Sequence, residues 1–310
     1  MSQWSVRNNS NTHKEEDNEL TIANCYCTVL FVLPNIGTST SDWPQRPWPD
    51  QNKGVLLENL TWQEAEKALK PETVVVIPLG AAAKEHGPHL KLKNDWTMAE
   101  YYKMRVLKVA DMVIAPTVNY YHVPPFLEYP LSTSLRLETA RDLIVDICRS
   151  LARFGPRRFY VISTVIATLA FKPAAETLAA EGILLHYLDP RVDERTIKPL
   201  LKQEGGRHAD ENETSKMLYM DRASVDMRKA VKDYQPLPAG SPRVQFTRDP
   251  QAAARGEGIY SPTGSWGNPT LATREKGRIA TEATIAAILR QIETLRQAAP
   301  PNTGGAKVIQ

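Results

Sequence analysis

The chain has 310 residues, of which 42% are hydrophobic and 24% charged, with a formal net charge of +3. That length can bury a large core in one or two domains, and the composition is ordinary for a soluble globular protein. So small a net charge, without long blocks of like charge, gives no ground for a nucleic-acid partner or an anionic membrane.

Residues 1–55 differ from the rest and read as an N-terminal extension. The first nineteen are polar, with Lys14-Glu15-Glu16-Asp17, and are expected to be disordered. Residues 21–33 form an apolar run too short for stable membrane insertion. The run has the length of a signal-peptide core, but the residues before it are acidic rather than basic. A cytoplasmic location is therefore expected, with secretion or a periplasmic location as the alternative if a start codon chosen too far upstream hides a signal peptide. The cysteines, Cys25, Cys27 and Cys148, are few and odd in number, so no disulfide framework is implied. Cys148 falls on the apolar stripe of an expected helix and reads as a buried small hydrophobe.

Beyond the extension, Thr61-Trp62-Gln63-Glu64 fits a capping box and opens a helix to about residue 69. Residues 73–79 form a buried strand with Pro78 near its end. Asp95 stands where a helix N-cap belongs, and Met98, Tyr101, Tyr102 and Val106 follow at helical spacing. Residues 112–115 are the next strand. Residues 138–154 are the clearest helix, stopped by Gly155 and Pro156. A strand at 159–162, a helix at 173–181, a strand at 183–187 and a long amphipathic helix at 275–296 complete the pattern. Strands alternating with helices predict an α/β domain over residues 56–298, with a mostly parallel central sheet and helices on both faces. Residues 299–310 read as a flexible tail.

The densest chemistry is Glu85-His86-Gly87-Pro88-His89, followed by Asp95. Imidazole nitrogen and carboxylate oxygen are ligands that zinc and manganese take from proteins. The segment follows a buried strand, and in open α/β sheets ligands bind beyond the carboxyl ends of the strands. A polar loop whose histidines cap nearby backbone is the competing reading.

These residues resemble the creatininase family of metal-dependent amidohydrolases. Its first motif is approximately G-x-x-E-x-H-G-P-H-L-P-L-x-x-D, and Gly80 to Asp95 reads GAAAKEHGPHLKLKND. The segment from His208 to Ser215, HADENETS, looks like H-A-G-E-x-E-T-S, and Gly267 to Gly277, GNPTLATREKG, resembles G-D-P-T-x-A-T-x-E-K-G. Tyr129 to Leu135 fits F-P-G-T-x-S-L loosely. The resemblance runs from residue 56 to about 297.

The resemblance implies an α/β sandwich, homo-oligomers as large as hexamers, and hydrolysis of a small, often cyclic, amide by metal-activated water. The small-molecule amide is the implied partner. The implied cofactor is zinc or manganese, as two ions bridged by the motif's aspartate. Residue by residue, His86 matches the histidine ligand, Asp95 the bridging aspartate, His208 a histidine of proton transfer, and Glu213 an acidic residue at the site.

Three departures shape the expectations. The first loop is one residue longer than the motif, so that counting back from His86 puts Lys84 where the glutamate ligand should stand. Glu85 is the expected ligand in its place, if a bulge absorbs the extra residue. Second, Ser163-Thr164-Val165-Ile166-Ala167-Thr168 replaces the family's N-G-H-G-G-N, which puts Val165 at a ligand histidine's position and leaves one of two ion sites incomplete. Glu211 is the candidate substitute, its alternative being a solvated carboxylate at a helix start. Third, Pro125-Phe126 replaces an E-H pair and makes the pocket wall more apolar. His89, His122, Trp96 and Trp266 are candidates around the substrate, with Glu128 of similar standing; His89 is expected to orient a ligand, His122 to be structural unless it touches substrate, and the tryptophans to line the pocket or pack in the core. His13 and His186 are background.

One or two ions per chain remain open, because the second site lacks a histidine. Two further functions compete with small-amide hydrolysis. One is a peptidase of the same family trimming a short peptide. The other is a binding or oligomeric scaffold with a degraded metal centre.

Overall fold

The computed structural model describes residues 52–127, 129–165, 169–188, 192, 194–234, 261 and 263–300. The expectations for residues 1–51, which include Cys25, Cys27, His13 and the apolar run, lie outside the described residues, as do Glu128, Ala167 and residues 301–310.

Among the described residues, five strands form one sheet: β1 (Val55–Leu56), β2 (Val74–Leu79), β3 (Val113–Ile114), β4 (Arg158–Ser163) and β5 (Leu184–Tyr187). Their order is β1-β3-β2-β4-β5, and every pairing is parallel. Parallel neighbours need long crossovers, and helices supply them. They are α1 (Trp62–Ala68), α2 (Asn94–Val109), α3 (Leu137–Ala152) and α4 (Phe171–Ala179); α5 (Glu194–Ile197), α6 (Glu211–Met220) and α7 (Arg274–Gln297) follow β5.

The central strand β2 explains the layering. All six of its residues are buried, as a strand covered on both faces requires. Val75, Ile77 and Leu79 enter one core with Ile144 and Cys148 of α3 and Leu178 of α4. Val74 and Val76 enter the other with Tyr101 and Val106 of α2, Met217 of α6 and Ile288 of α7. Alternating side chains thus feed two cores, one on each face. The α/β/α arrangement expected from the sequence is present.

The capping box also forms. Thr61 N donates to Glu64 Oε2 at 2.8 Å, and Glu64 N donates to Thr61 Oγ1 at 3.4 Å. Asp95 is not the N-cap of α2: Lys93 holds that position, and Asp95 is the second residue of the helix, in its first turn. Gly80 makes the close approach possible, because a Cβ there would collide with the Asp95 carbonyl. Thr164 Oγ1 closes the same corner, donating to the Asp95 carbonyl at 2.7 Å and the Leu79 carbonyl at 3.2 Å. The carboxyl ends of β2 and β4 and the start of α2 are thereby held together. Chain order reverses across this point, since β3 lies on one side of β2 and β4 on the other. Among the described residues, no helix is long and apolar enough to cross a membrane.

Candidate metal centre and its acid–base pair

Three ligand atoms converge beyond the end of β2. His86 Nε2 lies 2.9 Å from Asp95 Oδ1 and 3.4 Å from Glu213 Oε1. The three residues each offer an atom within 4.8 Å of the others, His86 and Asp95 being buried and Glu213 partly so. The other nitrogen of His86 assigns its tautomer. Nδ1 is 2.8 Å from the Lys84 carbonyl, which can only accept, so Nδ1 carries the proton. Nε2 then faces two carboxylate oxygens, as a bare lone pair when the ring is neutral and as a donor when it is protonated. Acceptors facing one another without a donor are unfavourable in a buried site, and a cation or an extra proton between them removes the conflict. One imidazole and two carboxylates suit zinc or manganese. The residues present fit a divalent ion.

Each carboxylate is positioned by a helix start. Asp95 lies in the first turn of α2, where the backbone dipole favours negative charge. Burial works to raise its pKa, but the Lys84 ammonium and His86 outweigh it and hold the group down at about 2. Glu213 lies in the first turn of α6, capped by Asp210, whose Oδ1 accepts from Glu213 N at 3.0 Å. Its own carboxylate accepts from Asn94 Nδ2 and from Ala209 N, both at 2.8 Å. Ala209 reaches that contact with φ +47°, a left-handed conformation unusual for a non-glycine residue. Burial also pushes the Glu213 pKa upward, and His86, His208 and Lys84 together bring it below the ordinary value.

A second histidine stands beside this cluster. His208 Nε2 is 2.9 Å from Glu85 Oε2, which as a carboxylate accepts, so the proton sits on Nε2. Nδ1 is left with a lone pair, buried, without a hydrogen-bond partner among the described residues and 3.9 Å from Glu213 Oε2. The ring packs 4.6 Å from that of Phe126 and 5.3 Å from that of His86, centroid to centroid. Backbone pairing fixes its place: Trp266 N donates to the His208 carbonyl at 2.8 Å. Glu85 is fixed in turn by Ser132 Oγ, which accepts from its backbone N at 2.9 Å, and by Gly87 N, which donates to its carboxylate. Gly264 covers that carboxylate at φ +77°, and a Cβ there would strike it. The arrangement is a cluster of atoms that could hold a cation, with an oriented imidazole nitrogen that has no hydrogen-bond partner among the described residues next to it.

Residues 58–292 match the family described as Creatininase: Creatinine amidohydrolase, which covers most of the chain. The chain belongs to the creatininase family. It is 26% identical over 272 residues to a creatinine amidohydrolase of Pseudomonas putida, covering 81% of this chain and 99% of that one. It is 27% identical over 229 residues to a mycofactocin precursor peptide peptidase of Mycobacterium tuberculosis, covering 70% of this chain and 84% of that one. A solved creatinine amidohydrolase shares the fold with a TM-score of 0.60 at 23% identity, over 79% of this chain and 99% of that chain. Solved creatininases include a Zn–Zn form and a manganese form.

Within this creatininase-family site, several residues stand elsewhere than the sequence suggested. Glu85, expected as a ligand, pairs with His208 and is not in the cluster of ligand atoms. The adjacent His86 goes to other partners, the Lys84 carbonyl and Asp95. Glu211, the expected substitute ligand, is fully buried but committed: its carboxylate pairs with Lys276 and accepts from Lys202 N at 2.9 Å and Gln203 N at 2.8 Å. Glu213, expected as an acidic residue at the site, is the one that joins His86 and Asp95. Val165 is fully buried in the apolar core and supplies no ligand.

His89 donates to or accepts from Thr214 Oγ1 at 2.8 Å, next to Glu213 in sequence. Burial depresses its pKa to about 4 against the pull of Glu213 and Glu85, so it is neutral at pH 7. His122 pairs with the Leu135 carbonyl at 2.9 Å and ties two loop segments together. Trp96 is half-buried in α2 under the Lys93 ammonium, 5.7 Å from the ring centroid. Trp266 is half-buried and acts on the site through its backbone contact with His208. Sequence reasoning passed over Asn94, whose only signal was its place beside Asp95.

Proposed function

We propose that this protein hydrolyses a C–N bond of a small amide, cyclic amides included, at a divalent ion held by His86, Asp95 and Glu213. The observation that supports it is the convergence of three acceptor atoms beside an oriented imidazole whose Nδ1 is uncommitted. Bound there, zinc or manganese would supply Lewis acidity and a water whose pKa falls from about 15.7 toward roughly 7.

The chain's own residues supply the rest of the chemistry. His208 Nδ1, buried and without a hydrogen-bond partner among the described residues, accepts a proton from the attacking water and delivers it to the departing nitrogen. Glu85 holds the ring through Nε2 and stabilises the imidazolium formed in between. Asn94 Nδ2 and Ala209 N fix the Glu213 carboxylate, so the acceptor cluster is rigid before substrate arrives. Phe126 covers the His208 ring and keeps water off it, consistent with an apolar wall beside the substrate.

Cleavage of a short peptide is the second reading, supported by the similarity to the Mycobacterium tuberculosis peptide peptidase. A homo-oligomer belongs to the same proposal and is read by sedimentation. The test is turnover by the metal-supplied protein on a panel of cyclic amides, formyl amides and short peptides, with His208→Ala as the control. Hydrolysis of a cyclic or formyl amide that depends on His208 is the expected result. Peptide cleavage alone transfers the assignment to the second reading, and no turnover on any member leaves the scaffold reading.

A further inference from the structure

Lys84 is among the largest fully buried side chains of the protein, 1% exposed. Its ammonium lies 3.1 Å from Asp95 Oδ2, while His86 Nε2 lies 2.9 Å from Asp95 Oδ1. Asp95 therefore has two faces. One oxygen points into the ligand cluster with His86 and Glu213, and the other is taken by a positive charge belonging to the chain itself. Among the described residues, Asp95 is the one acid paired with Lys84. The remaining surroundings of Nζ hold it without competing for it: the Phe126 ring lies 4.3 Å away, face on, a contact that favours a cation.

Among the described residues, no second group of metal-ligating atoms gathers at Asp95 Oδ2. The Phe126 ring faces Lys84 Nζ, and Val165 is buried in the apolar core; neither offers a ligand atom. A dication on Oδ2 would also have to displace the ammonium or lie against it, two positive charges at contact distance in a dry site. We propose that the Lys84 ammonium stands in for a second divalent cation at Asp95, so that the centre binds a single ion, on the His86 side. This rests on the reading of His86, Asp95 and Glu213 as cation ligands. It also gives Lys84 a defined part in the site: it holds the Asp95 carboxylate with Oδ1 turned toward His86. The lysine completes an electrostatic pattern with one mobile and one covalently tethered cation.

The test counts ions without reference to activity. Chelator-treated wild type, Lys84→Met and Lys84→Glu are equilibrated with zinc or manganese, and bound ions per chain are measured by native mass spectrometry and elemental analysis. The expected result is one ion for wild type and one additional ion for Lys84→Glu, with Lys84→Met binding its first ion at least about tenfold more tightly because the like charge is gone. Two ions in wild type, or unchanged number and affinity in both variants, overturns the proposal. No ion in wild type overturns the metal-hydrolase reading and this proposal with it, whereas two ions in wild type overturn this proposal alone, so the two failures are separable. If neither variant folds, anomalous scattering from metal-soaked wild-type crystals decides. Nζ still on Asp95 Oδ2 supports the proposal, and an ion on Oδ2 with Lys84 displaced overturns it.

Discussion

Breaking the Lys84–Asp95 pair tests the charge balance of the site with no ion present. In Asp95→Asn the ammonium, 1% exposed, keeps its burial and loses its counter-charge. At an effective dielectric of about 20, the 3.1 Å separation corresponds to an attraction of roughly 5 kcal/mol. Removing one member of a buried pair typically costs about 3–5 kcal/mol, because the survivor is left uncompensated. Urea denaturation of wild type and Asp95→Asn, in chelator at pH 7, should differ by that amount. The double variant Lys84→Met with Asp95→Asn removes both charges of the pair and should recover most of the loss. The pH dependence follows from the depressed pKa. A carboxylate held at about 2 in the folded protein, against an ordinary 3.8, contributes stability that is complete above the ordinary value and disappears as pH falls toward 2. That contribution is roughly 2 kcal/mol, so the gap between wild type and Asp95→Asn should narrow by about this much between pH 5 and pH 2. An Asp95→Asn cost below about 1 kcal/mol, or a double variant no more stable than Asp95→Asn, refutes the reasoning.

Other expectations follow from the same geometry. His208→Ala should retain its metal and lose about 10²–10⁴-fold in turnover, read by steady-state kinetics beside elemental analysis. Gly264→Ala forces a Cβ onto the Glu85 carboxylate at a φ that disfavours any side chain, and should cost about 1–3 kcal/mol in denaturation experiments while lowering turnover. His89, neutral and depressed to about 4, takes up its proton later than in the unfolded chain, so stability should fall as pH drops from 6.5 to 4. The loss is roughly 3 kcal/mol, and His89→Gln should flatten this part of the stability profile.

The sheet was legible because β2 is apolar throughout and because α3 carries its buried residues at helical spacing, signals that need no tertiary information. The helix α6 was harder to see. Its first half, Glu211 to Ser215, is polar because it serves the site and the Lys276 contact, and only its second half carries apolar residues to the core. The site divided in the same way. His86, Asp95, His208 and Glu213 stood out as residue types in recognisable order, whereas their partners depended on where backbone turns aim each side chain. Glu85 and Glu211 illustrate the difference: both are carboxylates near the centre in sequence, and each is claimed by a partner, His208 or Lys276, that sequence spacing does not reveal. Lys84 looked like a defect in the motif. Its burial against Asp95 became visible only with the fold.

The central claim is that Glu213, rather than Glu85, completes the cation site with His86 and Asp95. Manganese binding to chelator-treated wild type, Glu213→Gln and Glu85→Gln, followed by electron paramagnetic resonance, tests it most directly. The account predicts that Glu85→Gln binds manganese as wild type does and that Glu213→Gln loses it. Loss in Glu85→Gln with retention in Glu213→Gln would contradict the account.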